Sequence, residues 1–490
     1  MFDNRTIPIT VSQTIGEVHN LPSYYGGRKM SEKLRVSRWC KWSVRDDVMS
    51  LMHSLTLGLV FLPEIQGSRL ISMVREGIPQ KTLESIFGDV IGQLVTERLL
   101  VNTSTQDDDL LNRFRLALTE NVRMNLCYLL LTDGCNLQCR YCFEDTPDAP
   151  SFRATRMNDD IISHGLEMFA RLTSQYGDVE STKRVIHLYG GEPLMNKSGV
   201  RTAIAKTEEL RLSGSLPDKT ELVIVTNGAL LTRNMAQFLA DHQVTIGVSL
   251  DGPQHLNDLH RIAKQRGGGA FKKAENAYKL ARECGAKVGL SATLTPEVVN
   301  NFDEVLKYFV DELGVQNGMS FNILHFNPLM STGKDYYQGA ALCLLKAFEV
   351  FRERGIYEER MMRKARAFVE QEPIFTDCGV NGSQIVIAPD GSVGVCQDFV
   401  KPRTYFHGSV LDQTYDPVQE GIFDGWKKRS PLFMKECLDC EAIGICGGGC
   451  PASVELKTGS RWNVDRRICP HSKLSLEWLI WQTYITSIAT

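Results

Sequence analysis

The chain lacks a charge excess of either sign. It carries 55 Lys and Arg against 58 Asp and Glu, a net charge of −3 and a pI near 6.4. That balance gives no electrostatic case for a nucleic-acid or membrane-surface partner. No apolar run approaches membrane-spanning length. Residues 1–12 have no basic stretch followed by an apolar run, so no signal peptide is expected. Repeats and low-complexity tracts are absent. These absences leave a soluble, cytoplasmic protein as the expectation. At 490 residues, 43% of them hydrophobic, the chain exceeds one ordinary core, and two or three domains are expected.

Cysteine is plentiful by contrast, with fourteen in the chain. In a reducing compartment they read as metal ligands rather than disulfides. Three lie between 135 and 142, and seven between 378 and 469. Cys40, Cys127, Cys284 and Cys343 are scattered and read as buried thiols acting as small hydrophobes.

Residues 1–42 show no periodicity and read as an irregular extension. Residues 43–104 read as a small α/β module, with a strand at 56–62, a helix at 66–76, a break at Gly77-Ile78-Pro79 and a second helix at 82–97. A linker helix falls within 105–125. From 126 to 335, short apolar strands alternate with helices. The strands lie at 128–132, 185–189, 222–226, 245–250, 288–293 and 321–325, and helices at 161–174, 235–241 and 271–284 separate some of them. Near-continuous apolar runs are the mark of buried parallel strands. Six βα units fit an α/β fold built on an incomplete TIM-type barrel better than an open sheet. Residues 336–374 read as a helical linker. Residues 375–490 are loop-rich, with Asp390-Gly391 as a hairpin signal between 385–388 and 393–396.

The first cysteine group follows the first barrel strand, on the rim where barrel enzymes place their chemistry. It reads Cys135-Asn136-Leu137-Gln138-Cys139-Arg140-Tyr141-Cys142-Phe143. A loop this short wraps three thiolates round one face of an iron–sulfur cubane and leaves the fourth iron without a protein ligand. A zinc knuckle would need a fourth ligand, and no further Cys or His stands close by.

This spacing resembles the radical S-adenosylmethionine (SAM) superfamily motif. The resemblance implies a [4Fe–4S] cluster on Cys135, Cys139 and Cys142 that cleaves SAM reductively to a 5′-deoxyadenosyl radical. Later strand ends agree with it. Gly190-Gly191-Glu192-Pro193 resembles the turn that binds the methionine ammonium of SAM. Thr226 and Asn227, Ser249 and Asp251, and Thr293 and Leu294 end the next three strands, where relatives contact the cofactor. Tyr141 resembles the aromatic residue near the adenine. The protein's share of such chemistry is orientation and the exclusion of water.

The seven later cysteines resemble the SPASM extension of the same superfamily, which holds two auxiliary [4Fe–4S] clusters. Carried over, Cys378, Cys396 and Cys450 serve one cluster, and Cys437, Cys440, Cys446 and Cys469 the other. Three clusters and SAM are then the expected cofactors. One departure stands out: residues 370–377 contain no cysteine, so the first auxiliary set has three evident thiolates and an open question at the fourth position. The alternative for the tail is a pair of structural zinc sites.

SPASM enzymes modify peptides and proteins. Residues 43–104 resemble in pattern the winged-helix leader-binding domain of ribosomal-peptide maturases, which takes up a leader as an added strand. The expected activity is modification of a ribosomally made precursor peptide by a side-chain cross-link, a thioether or carbon–carbon bond. An external one-electron donor such as flavodoxin or ferredoxin is expected as a second partner. Asn257-Asp258-Leu259-His260-Arg261 resembles a His-Asp-x-x-Arg stretch of anaerobic sulfatase-maturing enzymes, with Asn257 in place of the His. Gly267, Gly268 and Gly269 before Phe271 resemble their glycine-rich turn. Formylglycine formation is therefore the alternative activity, against which a surface loop and helix cap is the plain structural reading. A non-catalytic zinc-binding protein is the third possibility. Spacing alone places no catalytic acid or base.

Overall fold

The structure is a computed structural model that describes residues 33–120, 122–142, 155–177, 183–265 and 268–489. Most of the N-terminal extension, Phe143 and Gly267 lie outside the described residues.

The N-terminal module contains β1 (Arg35–Val36), β2 (Cys40–Arg45), β3 (Val48–His53), β4 (Leu59–Pro63) and β5 (Leu100–Val101). Strands β2, β3 and β4 form an antiparallel sheet in that order, and β1 pairs with β5. The sequence reading found only the last strand of the sheet. The β2–β3 hairpin turns on Asp46 and Asp47, both at positive φ (49° and 60°). Two left-handed positions fit a tight hairpin, and Asp tolerates them without the glycine that usually marks such a turn. Three helices follow, Glu64–Arg75, Gln80–Phe87 and Val90–Thr96. The single helix expected at 82–97 is broken by Gly88 at φ 58°. Leu51, Val60, Leu70, Leu83, Ile91 and Leu94 form the module's core. The linker helix spans Thr105–Glu120.

The central sheet is mostly parallel. It contains β6 (Leu126–Thr132), β7 (Val185–Gly190), β8 (Glu221–Thr226), β9 (Thr245–Ser249), β10 (Val288–Leu294) and β11 (Gly318–Ile323), each parallel to the next. Successive order, with helices such as Asp159–Tyr176 and Lys197–Leu212 in the connections, is the topology the βα reading expects. Leu129, Ile186, Leu188, Ile224, Ile246 and Leu290 fill the space between sheet and helices. The sheet extends beyond six strands. β12 (Tyr357–Glu358) adds to β11, and β13 (Gln384–Ile387) adds to β6, both in parallel. β13 then turns at Asp390 and Gly391 into β14 (Val393–Gly394), which pairs with β15 (Phe406–His407).

The rest of the cysteine-rich segment is mainly turns, closed by the helix Cys469–Ala489. Leu476, Leu479, Ile480 and Trp481 of that helix pack against Met52 and Leu57 of the N-terminal module. No described helix is long and apolar enough to cross a membrane.

Candidate active site

Because β6 to β11 run parallel, their C-terminal ends meet on one rim. The cysteine loop leaves β6 there and is stitched to the segment after β9. Gln138 N donates to the Ile262 carbonyl (2.8 Å), Arg140 N to the His260 carbonyl (3.1 Å) and Lys264 N to the Asn136 carbonyl (3.0 Å). Asn327 Nδ2 donates to the carbonyls of Arg140 (3.3 Å) and Cys142 (3.2 Å). The loop's shape is thus set by its neighbours. Cys135, Cys139 and Cys142 are all partly exposed and face one cavity of about 720 Å³.

The glycines of the second rim turn serve that loop. A Cβ on Gly190 (φ 127°) would stand 2.1 Å from the Thr132 carbonyl oxygen, and one on Gly191 2.4 Å from that of Gly134. The close approach that requires glycine is therefore to the cysteine loop's own backbone. Tyr141, Gly190, Gly191, Thr226, Asn227, Ser249 and Thr293 line the cavity, whereas Glu192, Pro193, Asp251 and Leu294 stand behind it.

Glu192 is fully buried. Its Oε1 accepts from Leu194 N (3.0 Å) and Thr226 Oγ1 (2.7 Å), and its Oε2 accepts from Asn227 N (2.8 Å). Burial pushes its carboxyl above the usual range, against these three bonds. Glu192 thereby joins the ends of β7 and β8 and orients Asn227, whose Nδ2 donates to Asn136 Oδ1 (2.8 Å) and contacts Cys135 Sγ (3.7 Å). Pro193 opens the short turn Pro193–Asn196. Leu294 is buried, and its carbonyl accepts from the Tyr336 hydroxyl.

Asp251 is the hub of a second buried network. Arg261 donates through Nε (2.8 Å) and a terminal nitrogen (3.0 Å), Thr293 N donates at 2.9 Å, and the Tyr141 hydroxyl donates to the same carboxylate. The Arg261 guanidinium also lies 5.5 Å from the Tyr141 ring centroid. Burial and the Asp251 charge, opposed by Arg261, hold the Tyr141 phenol well above its ordinary value. The stretch 257–261 is not a surface loop. Asn257, His260 and Arg261 are buried, and Asn257 Oδ1 accepts from Asp251 N (3.2 Å). Asp258 is the helix cap of the plain reading, accepting from Phe271 N (2.9 Å).

Several cavity residues escaped the sequence reading: His187, His325, Arg360, Gln397, Asp398 and Lys401. His187 stacks on Tyr128 (4.8 Å, 18°), and burial pulls its pKa down to about 4. The histidine and arginine positions follow no motif. Gln397 and Asp398, next to Cys396, reach the cavity only because β13 docks beside β6.

The later cysteines feel one another's charge. Burial first, then the charges of Asp398, Cys450 and Cys378, push up the Cys396 thiol. Burial first, then Cys446, Cys440 and Cys469, push Cys437 to about 12. Thiols round a single zinc would stand roughly 3.8 Å apart, given Zn–S bonds of about 2.3 Å. Among the described residues, the one group of three or more candidate ligands lying within 4.8 Å of one another is His325, Asp398 and Cys450.

Residues 129–309 match the model of the Radical SAM superfamily. Over 379 residues the chain is 24% identical to the radical SAM cyclopropyl synthase TigE of Paramaledivibacter caminithermalis, covering 72% of this chain and 73% of that one. Over 360 residues it is 26% identical to a cysteine-type anaerobic sulfatase-maturating enzyme of Clostridium perfringens, covering 68% and 90%. In fold it is similar to anSMEcpe with bound AdoMet (TM-score 0.61, 21% identity, 74% of this chain and all of that one). It is also similar to Streptococcus suis SuiB bound to S-adenosylmethionine (TM-score 0.52, 16% identity, 89% and 99%). The cysteine loop and most of the cavity above β6 to β11 lie within residues 129–309, the stretch of this chain that matches the Radical SAM superfamily.

Proposed function

We propose that the chain modifies a ribosomally synthesised precursor peptide, joining side chains by a thioether or carbon–carbon bond. The observation that carries this reading is one cavity holding both Cys135, Cys139 and Cys142 and residues of the cysteine-rich tail, Gln397 and Asp398. In this reading Cys135, Cys139 and Cys142 hold the SAM-binding [4Fe–4S] cluster. Cys378, Cys396 and Cys450, and separately Cys437, Cys440, Cys446 and Cys469, hold two auxiliary clusters. With its electron from an external flavodoxin or ferredoxin, the SAM cluster supplies reductive cleavage of SAM to a 5′-deoxyadenosyl radical.

The chain's own residues do the rest. Gly190 and Gly191 bring β7 against the cysteine loop, and Asn227 reaches Cys135. Thr226, Ser249 and Thr293 offer polar groups along the rim to SAM. Tyr141, fixed by Asp251 and Arg261, walls the adenine side. Walling the cavity in this way limits the access of bulk water to a reactive carbon radical.

The N-terminal module fits capture of a leader. Among the described residues β2 pairs only with β3, so its outer edge is open. A cavity of about 1,420 Å³ adjoins that edge, lined by Lys33, Arg35, Lys41, Trp42, Arg75 and Lys473 among others. An extended peptide adds to such an edge through backbone hydrogen bonds. Formylglycine formation on a sulfatase peptide is the second reading, favoured by the 26% identity to the C. perfringens enzyme.

The test is anaerobic reaction of reconstituted protein with SAM, a strong reductant and peptides of both classes. Cross-linking removes two hydrogens and leaves a residue pair that does not separate on tandem fragmentation. Formylglycine gives an aldehyde that a hydrazine traps. Aldehyde product alone overturns the first reading. Zinc in place of iron, with no 5′-deoxyadenosine released, overturns both.

A further inference from the structure

The first auxiliary group has three cysteines where a closed cubane takes four ligands, and residues 370–377 offer no other thiol. Asp398 stands in the short turn Gln397–Phe399 directly after Cys396. Its side chain is 3% exposed. Its Oδ1 has no hydrogen-bond partner, and the other oxygen is 3.5 Å from His325 Nδ1. Ligand atoms of Asp398, His325 and Cys450 lie within 4.8 Å of one another.

A buried carboxylate oxygen left unpaired beside the Cys450 thiol is a costly arrangement. A cation among those groups removes the cost. Arg467 is not that cation, because it is held by Asp465 (2.9 and 2.7 Å) and the Leu324 carbonyl (2.9 Å). His325 is partly exposed at the cavity wall and meets only one of the two oxygens.

We propose that Asp398 is the fourth protein ligand of the iron–sulfur group held by Cys378, Cys396 and Cys450, with His325 orienting its carboxylate. This rests on the reading that those cysteines hold such a group. It follows that no iron of this group is open to a substrate thiol, and that substrate engages the rim of the SAM site instead.

The test uses the full chain with Cys135, Cys139 and Cys142 changed to Ser, so that the SAM cluster does not contribute. The parent is compared with Asp398→Ala and Asp398→Cys after anaerobic reconstitution, by iron and sulfide analysis and EPR. The parent is expected to keep its four-iron signal through mild ferricyanide oxidation and to ignore added 2-mercaptoethanol. Asp398→Ala is expected to lose one iron on oxidation, giving a three-iron EPR signal, and to shift its reduced spectrum on adding the thiol. Asp398→Cys is expected to behave as the parent does. A parent that already loses an iron or responds to thiol overturns the proposal, as does an Asp398→Ala spectrum identical to the parent's. Unchanged iron and sulfide in Cys396→Ser, or a single zinc at the site, overturns the underlying cluster assignment instead.

Discussion

Asp251 and Arg261 stand ten positions apart, and the helix Gln254–His260 folds the second back onto the first. Asp251 was legible as a rim residue because it follows a strand. Its partnership with Arg261 was not, since no spacing encodes a pairing made through tertiary structure. Arg261→Ala leaves the Asp251 carboxylate uncompensated and is expected to cost about 3–5 kcal/mol. The Asp251→Asn, Arg261→Ala double variant is expected to recover part of this loss in denaturant titrations. Glu358 offers a pH-dependent case. It is fully buried, its Oε2 accepts from Met361 N (2.7 Å), its Oε1 is unpartnered, and burial raises its carboxyl from 4.5 to about 7. The folded chain keeps a proton that the unfolded chain has already released. The stabilisation is therefore full below pH 4.5 and is lost as pH rises to about 7. Glu358→Gln is expected to flatten the fall in melting temperature between pH 5 and pH 8, recovering up to about 3 kcal/mol at pH 8 relative to pH 5. A parallel pH dependence in both proteins refutes this.

At the level of elements, β6 to β11 were readable because buried parallel strands leave long apolar, β-branched runs such as Val223, Ile224 and Val225. β2 and β3 were not. β2 reads Cys-Lys-Trp-Ser-Val-Arg, with four of its six residues exposed, and its turn is built from aspartates without a glycine. Among the described residues no second strand lies beside β2. Added precursor peptide is expected to slow hydrogen exchange of residues 40–45 by at least tenfold while leaving β4 unchanged. Uniform protection of both strands counts against strand addition. Gly191 joins two elements, and Gly191→Ala places a methyl group against the Gly134 carbonyl. It is expected to cut iron at the Cys135 loop by more than half without unfolding the sheet, as read by iron analysis and circular dichroism.

On the scale of the whole molecule, the cysteine pattern marked out the tail as a segment of its own but not how it is mounted. The helix Cys469–Ala489 reaches from the tail to the N-terminal module, where Phe61 meets Trp481 (6.2 Å) and Tyr484 (5.1 Å). Its contacts join distant parts of the chain, which no local pattern records. Trp481→Ala is expected to cost about 3–5 kcal/mol, read as an earlier unfolding transition reported by the N-terminal module. The mounting of β13 has a wider consequence. β13 pairs with β6, and β14 with β13, in one continuous hydrogen-bonded sheet, so Cys396 just after β14 and the Cys135 loop after β6 are mounted on the same framework two strand pairings apart. Adjacent strands keep a spacing of about 4.8 Å. The two mountings are held by one backbone lattice, like sleepers on a single track. Electron passage between groups bound at the two loops would then respond to driving force and not to the swing of a hinge.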